Sequence, residues 1–134
     1  MEMLVDTNVL VYATVEDSEF HEECVKKLEE AERIHLISTV VEEFVLVLKS
    51  IGIAEDFIKD QARTIITDPR VNFITLKLKD LEDALKILKK EKVSVREFND
   101  KLILTVAKRK GLQVYSYDKS LRNECQKFKV RVLP

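Results

Sequence analysis

Short apolar segments alternate along this chain with longer stretches in which apolar residues recur every three or four positions. The first pattern is typical of buried strands in a parallel sheet, and the second is typical of amphipathic helices. Strands are predicted at the apolar segment that ends before Asp6 and over 34–37, 71–76, 112–117 and 130–133. Helices are predicted over 9–13, 18–31, 40–51, 54–67, 80–91 and 95–110.

Strands that alternate with helices predict an α/β fold, in which a mostly parallel sheet of about five strands lies between two layers of helices. No linker or repeat divides the chain, so residues 1–134 are predicted to form a single three-layer α/β/α sandwich. Gly52 and Gly111 are expected to end two helices. Ser94 to Glu97 has the sequence of a capping box, which predicts that the last long helix starts at Val95.

The amino-acid composition excludes two common kinds of binding site. With only two glycines the chain has no Gly-rich phosphate-binding loop, and its two Cys and two His match no zinc site. No apolar segment approaches the length of a membrane span and no signal peptide is recognisable, which predicts a cytoplasmic protein with reduced cysteines. Residues 1–67 carry a net charge of −9 and residues 68–134 carry +8. This asymmetry indicates a polyanionic partner, although a solvated lysine-rich surface explains it equally well.

Two aspartates, Asp6 and Asp118, come at the ends of predicted strands. Parallel strands present their carboxyl ends at one edge of the sheet, which is where open α/β sheets place their functional groups. The two carboxylates can be neighbours there only if their strands are neighbours. A strand-ending turn or a helix N-cap is the competing explanation for each of them.

Asp100 falls inside a predicted helix, and the residues three, four and seven positions after it are all apolar. A carboxylate on this face needs a cation, because its burial without a partner is costly. Either a metal ion or a basic side chain such as Lys101 or Arg96 would supply that cation.

Glu42 and Glu43 lie next to each other in the 40–51 helix but point in different directions. At about 100° per residue, Glu43 lies roughly 40° outside the apolar face, whereas Glu42 lies near the middle of the polar face. Glu43 is therefore the better candidate for an acid that faces inward. A cluster of carboxylates without His or Cys favours Mg²⁺ or Mn²⁺, since a cation relieves the repulsion between like charges.

These acids occur in the order, and on the elements, found in PIN domains. The chain resembles that family, and in particular the VapC ribonuclease toxins of prokaryotic toxin–antitoxin pairs. The resemblance spans the whole chain and rests on Asp6-Thr7-Asn8 after the first strand, on Glu43-Phe44 after the second, and on a closing block from Asn99-Asp100 to Ser116-Tyr117-Asp118.

The resemblance implies a metal-dependent ribonuclease that hydrolyses RNA phosphodiester bonds with a metal-activated water. The metal ligands that it implies, for Mg²⁺ or Mn²⁺, are Asp6, Glu43, Asp100 and Asp118. Asn8 and Ser116 would support the cluster and the attacking water by hydrogen bonding. The resemblance also implies a homodimer and a cognate antitoxin protein that holds the enzyme inactive.

Three alternatives remain open at this point. A PIN-type nuclease can act in ribosomal RNA maturation without an antitoxin. A phosphatase of the haloacid dehalogenase kind also uses a strand-ending Asp, but the second Asp that it needs two positions later is Asn8 here. A non-catalytic α/β adaptor would use the same acids only as helix caps and surface ion pairs.

Overall fold

Strands and helices alternate along residues 1–134, all of which the computed structural model describes. The strands are β1 (Glu2–Val5), β2 (Arg33–Leu36), β3 (Val71–Phe73), β4 (Val114–Tyr115) and β5 (Val132–Leu133). The α-helices are α1 (Thr7–Thr14), α2 (His21–Glu30), α3 (Ser38–Ser50), α4 (Glu55–Thr67), α5 (Leu78–Glu91), α6 (Phe98–Lys110) and α7 (Lys119–Lys127). The α/β fold class predicted from the sequence is confirmed.

The five strands form one sheet in the order β3-β2-β1-β4-β5, and every neighbouring pair is parallel. The chain moves outward from β1 to β3 and then returns to the other side of β1 for β4 and β5. Because such crossovers are right-handed, the two sets of helices lie on opposite faces of the sheet. Consistent with this, α1, α2, α3 and α4 pack on one another, as do α5, α6 and α7. Burial on both faces explains why Met3, Leu4 and Val5 of β1 are all apolar.

The strand order reverses between β1 and β4, and this is the place where open α/β sheets bind their ligands. The register of the sheet pairs Val5 with Tyr115. The next residue of each strand, Asp6 on one side and Ser116 on the other, therefore leaves the sheet beside its neighbour.

Helix α6 has seven consecutive buried residues, from Lys101 to Ala107. Burial of every side of this part of α6 requires neighbours all around it, and α5 and α7 are two of them. The one charge in this stretch, the ammonium group of Lys101, bonds Glu91 Oε1 at 2.8 Å and also bonds Glu124. The ion pairs tie the start of α6 to both adjacent helices.

The predicted capping box at Ser94 does not form. The Ser94 hydroxyl accepts from the amide of Arg96, residues 95–97 make a 3-10 turn, and α6 begins at Phe98. The Glu97 carboxylate accepts from the Ser120 hydroxyl at 3.2 Å, so it does not fold back onto Ser94. The prediction that this helix starts at Val95 is therefore wrong by one turn.

The third, fourth and fifth strands are shorter than predicted, with two or three residues each. The apolar pattern marks burial, and burial continues beyond the last paired residue of β4.

None of the helices has the length and apolar character needed to cross a bilayer. Cys24 and Cys125 are both buried free thiols.

Candidate active site

A cavity of about 310 Å³ lies at the carboxyl edge of the sheet. Four acids contributed by four separate parts of the fold line it: Asp6, Glu43, Asp100 and Asp118. The remaining lining residues are Thr7, Asn8, Val11, Tyr12 and Val47, so no basic side chain faces the cavity. Glu42 does not line it. The structure thus brings together the four acids that the sequence singled out.

Asp6 is the most buried of these acids, at 5% exposure. Its Oδ1 atom accepts from the Thr7 amide at 2.7 Å, which caps α1, and its Oδ2 atom accepts from the Ser116 hydroxyl at 2.6 Å and the Asn8 amide at 3.1 Å. The N-cap explanation for Asp6 is therefore correct, but it uses only one carboxylate oxygen. The other oxygen belongs to a network that crosses from β1 to the end of β4.

Ser116 is the centre of that network and is fully buried. Its hydroxyl donates to Asp6, accepts from the Asp118 amide at 3.0 Å, and lies 3.4 Å from the Asn8 side-chain nitrogen. The Asn8 carbonyl oxygen accepts from the Tyr117 amide at 3.2 Å. Asn8 and Ser116 therefore lock the ends of the two strands together and fix the Asp6 carboxylate.

Asp118 also serves as an N-cap, since its Oδ1 atom accepts from the Leu121 amide at 2.9 Å at the start of α7. This bond fixes the direction of the side chain. Its second carboxylate oxygen has no hydrogen bond within the protein and remains available at the cavity.

Asp100 is half-buried at the start of α6 and forms no ion pair. The basic partner proposed from the sequence, Lys101, instead bonds Glu91 and Glu124. Arg96 forms no salt bridge with any acid. The alternative in which a neighbouring base neutralises Asp100 is therefore not what the structure shows.

Glu43 is exposed on α3 and is held by Asn99, whose side-chain nitrogen donates to Glu43 Oε2 at 2.7 Å. Asn99 is itself fixed, because its carbonyl oxygen accepts from the Thr39 hydroxyl at 2.6 Å. This chain of contacts crosses from α3 to α6 and directs Glu43 toward the cavity. Sequence reasoning did not identify Asn99 or Thr39 in this role. The only signal was the position of Asn99 directly before Asp100.

The sequence matches the model of the PIN domain over residues 3–125. The chain belongs to the PIN domain family. The resemblance inferred from the four acids is thereby confirmed at the level of the family. No curated protein sequence gives a significant match.

Several solved structures share the fold of this PIN domain. The sarcin–ricin loop cleaving toxin VapC20 of Mycobacterium tuberculosis superposes with a TM-score of 0.79 at 17% identity, over 91% of this chain and 94% of that one. A toxin–antitoxin complex from Klebsiella pneumoniae gives 0.68 at 16% identity, over 98% and 96%. VapBC2 of Rickettsia felis, bound to a DNA fragment from its promoter, gives 0.68 at 14% identity, over 99% and 98%. At these identities the likeness establishes the fold.

Burial and mutual repulsion change the acidity of two carboxyl groups in this PIN domain. Burial, with a smaller contribution from the charges of Glu43 and Asp118, raises the pKa of Asp6 to about 6 against the opposing hydrogen bonds from Ser116 and Thr7. Burial, together with the charges of Asp6, Asp118 and Glu43, raises the pKa of Asp100 to about 7. Negative charge is thus disfavoured in the cavity as it stands, which is the electrostatic condition that a bound cation relieves.

The donor set suits a hard divalent cation. No three His, Cys, Asp or Glu side chains lie close enough together to form a ready-made metal site. Mg²⁺, however, keeps several of its waters and contacts only one or two protein carboxylates directly. Four carboxylates around a cavity without any base, with no His or Cys, therefore fit Mg²⁺ or Mn²⁺ better than zinc.

Proposed function

We propose that this PIN domain is an endoribonuclease of the VapC type that depends on Mg²⁺ or Mn²⁺. The observation that carries the proposal is the cavity at the strand-order reversal, in which four carboxylates from separate elements converge without a basic partner. Family membership and the VapC-like fold support a nuclease. The likeness to a toxin described as cleaving the sarcin–ricin loop supports RNA as the substrate.

In this proposal Asp6, Glu43, Asp100 and Asp118 would hold the ion between them, some directly and the others through its bound waters. When bound, the ion supplies an activated water and offsets the negative charge on the scissile phosphate. Ser116 and the Thr7 amide keep the Asp6 carboxylate in a fixed orientation, and Asn99 does the same for Glu43. These contacts are formed before substrate arrives, so little reorganisation is needed during the reaction.

The adjacent glutamates of α3 provide a matched test. Both are exposed and one residue apart, but only Glu43 lines the cavity. We expect the wild type to cut a mixed single-stranded RNA pool with Mn²⁺ and not with EDTA. Glu43→Gln should lower the rate by about 100-fold or more, the scale of losing a group that acts directly on the reaction, whereas Glu42→Gln should cut at the wild-type rate.

Two outcomes would contradict the proposal. Equal activity of the two glutamine variants would mean that Glu43 is not part of the metal site. A folded wild type that cuts no RNA, and whose melting temperature does not respond to Mn²⁺, would refute the nuclease and favour the non-catalytic adaptor.

We further propose a cognate antitoxin and a homodimer as protein partners. Two of the similar structures are toxin–antitoxin complexes, and Leu46, Ile51 and Phe57 expose large apolar side chains on α3, α4 and the turn between them. Light scattering of the purified chain measures whether it is a dimer. Growth arrest of a bacterial host by the wild type, but not by Asp6→Asn, would support a toxin, whereas normal growth with an active enzyme would favour RNA maturation.

A further inference from the structure

A second cavity, of about 560 Å³, lies at the opposite edge of the sheet from the four carboxylates. It opens where β1, β4 and β5 begin and where α6 and α7 end. Three cations line it: Lys108, Lys129 and Arg131, here called the basic cluster. None of the three forms a salt bridge with a carboxylate.

One strand, β1, and one helix, α6, each extend from the basic cavity to the acidic cavity. Glu2 lines the basic cavity at the start of β1, and Asp6 lines the acidic cavity just past its end, about 13 Å further along the strand. On α6, Asp100 lines the acidic cavity and Lys108 lines the basic one, about 12 Å apart along the helix axis. The protein is therefore electrically polarised from one edge of the sheet to the other.

The negative C-terminal ends of two helices account for part of the positive charge gathered at this cavity, but not for all of it. Each of the two helix C-termini at the cavity carries the equivalent of about half a negative charge, which cations in the last turn offset. The Glu2 carboxylate also lines the cavity, although His35 Nε2 already bonds it at 2.8 Å. If Glu2 and both helix ends are counted in full, the basic cluster still retains about one positive charge.

An aromatic ring forms part of the same cavity. The Lys108 ammonium lies 4.9 Å from the centre of the Phe128 ring, and the Lys127 ammonium lies 5.6 Å from it. Sites for single-stranded nucleic acid combine cations that follow the phosphates with aromatic rings on which bases stack. The basic cluster with Phe128 has this composition.

We propose that the basic cluster and Phe128 form a second RNA site, which binds backbone phosphates of the substrate away from the bond that is cut. The proposal rests on the ribonuclease function proposed above and adds a substrate requirement to it. Only an RNA that reaches from one cavity to the other can use both sites. Binding should therefore tighten with RNA length, and the affinity should fall as salt rises.

Two lysines make a matched pair of variants. Lys129 and Lys92 are the two residues other than glycine with positive φ, at +59° and +54°, and each follows the end of a helix. Replacement by glycine relieves the same backbone strain and removes the same charge at both positions. Only Lys129 lines the basic cavity.

The experiment measures binding of labelled single-stranded RNAs of about 4 and about 16 nucleotides, which span the known site sizes of single-strand binding domains. Fluorescence anisotropy in EDTA at several salt concentrations keeps cleavage out of the measurement. One lost phosphate contact lowers the salt slope by about 0.7, which corresponds to about fivefold in affinity at 0.1 M salt. We expect Lys129→Gly to show this loss with the long RNA, and Lys92→Gly to bind like the wild type.

Equal binding by the two variants would overturn the proposal, as would an equal rise in KM for short and long RNA when Lys129→Gly is tested in the cleavage reaction with Mn²⁺. Saturable stabilisation of the wild type by inorganic phosphate, with RNA binding unchanged in Lys129→Gly, would assign the cavity to a small anion and also overturn it. Similar melting temperatures for the two variants exclude misfolding as the cause of a difference.

Cleavage with Mn²⁺ separates this inference from the proposed function. If the wild type cuts the long RNA and Lys129→Gly leaves its KM unchanged, the second site is refuted while the nuclease stands. If the wild type binds RNA through Lys129 but cuts none under any condition, the nuclease is refuted while the binding site stands.

Discussion

Replacing Asp100 with asparagine removes one carboxyl group from the acidic cavity and keeps the size of the side chain. In the folded protein, burial and the charges of Asp6, Asp118 and Glu43 raise the pKa of Asp100 from 3.8 to about 7. The folded state therefore binds this proton more tightly than the unfolded state does. Ionisation of Asp100 consequently costs folding free energy, and asparagine avoids that cost.

The rise in the pKa of Asp100 corresponds to about 4 kcal/mol at 1.36 kcal/mol per pKa unit. Because the side chain is only half-buried and solvent screens it, we reduce this to about 2 kcal/mol. The destabilisation is absent below the unfolded pKa of about 4, grows as the pH rises through about 7, and is constant above that. Asp100→Asn should thus match the wild type near pH 4 and exceed its stability by about 2 kcal/mol at pH 8.

Thermal unfolding in EDTA from pH 4 to pH 8 measures the effect. At about 3 °C per kcal/mol for a chain of this length, the variant should melt about 6 °C above the wild type at pH 8. Addition of Mn²⁺ should raise the wild-type melting temperature more than that of the variant. The matched control is Asp60→Asn, which changes an exposed aspartate within α4 and should not respond to pH in this way.

A variant that is less stable than the wild type at pH 8 would refute this reasoning. So would a gain in stability that does not depend on pH. The first result would mean that Asp100 makes a favourable contact in the folded protein, and the second would mean that asparagine stabilises the fold by something other than the removal of charge. Neither result is consistent with electrostatic strain in the cavity.

Three further predictions concern the contacts around the cavity. Ser116→Ala removes the buried hydroxyl that bonds Asp6 and the Asp118 amide, and should lower the free energy of unfolding by about 1–3 kcal/mol in a urea titration. Asn99→Ala frees Glu43 and should raise the Mn²⁺ concentration needed for half-maximal cleavage while the melting temperature changes little; an unchanged Mn²⁺ requirement would remove Asn99 from the site. Lys101→Met removes the buried cation shared by two partly buried glutamates, leaving Glu91 only its exposed partner Lys127, and should cost about 3 kcal/mol. Replacing all three charged residues by apolar ones should restore most of that loss.

The sequence was sufficient for the α/β fold class because short, mostly apolar segments alternate with stretches that have one apolar face, although helix α7 was not predicted. Asp6 and Asp118 could be placed at one edge of the sheet, since parallel strands end on the same side. That β1 and β4 are neighbours could not be deduced from these patterns, because periodicity carries no information on strand order. The reversal of order at β1 is what turns two separate strand ends into one cavity.

Contacts between helices were equally impossible to deduce from sequence patterns. Lys101 is one residue from Asp100, which made it the natural partner, but it points to Glu91 and Glu124 on neighbouring helices. In the same way, Asn99 reaches Glu43 across 56 positions of sequence. Both partnerships depend on the packing of α6, which a linear pattern does not encode.

The charge asymmetry of the sequence is a poor guide to where charge lies in the fold. Two of the four acids in the cavity, Asp100 and Asp118, come from the half of the chain that carries +8. The charges are separated because β1 and α6 run in opposite directions between the two edges of the sheet. Acids lie where β1 ends and α6 begins, and cations lie where β1 begins and α6 ends.

The competing explanations for Asp6 and Asp118 prove to be compatible. Each carboxylate uses Oδ1 to cap a helix, and this bond fixes the side chain so that Oδ2 is held at the cavity. A cap formed by serine or threonine would stabilise the helix as well, but it would leave no second oxygen for a cation. Substitution by asparagine therefore separates the two roles, since asparagine still caps a helix and should preserve the fold while cleavage is lost. If Asp6→Asn or Asp118→Asn instead unfolds the protein, the second carboxylate oxygen serves the fold itself, which for Asp6 would be through the bonds from Ser116 and Asn8, and a role in cleavage would need independent evidence.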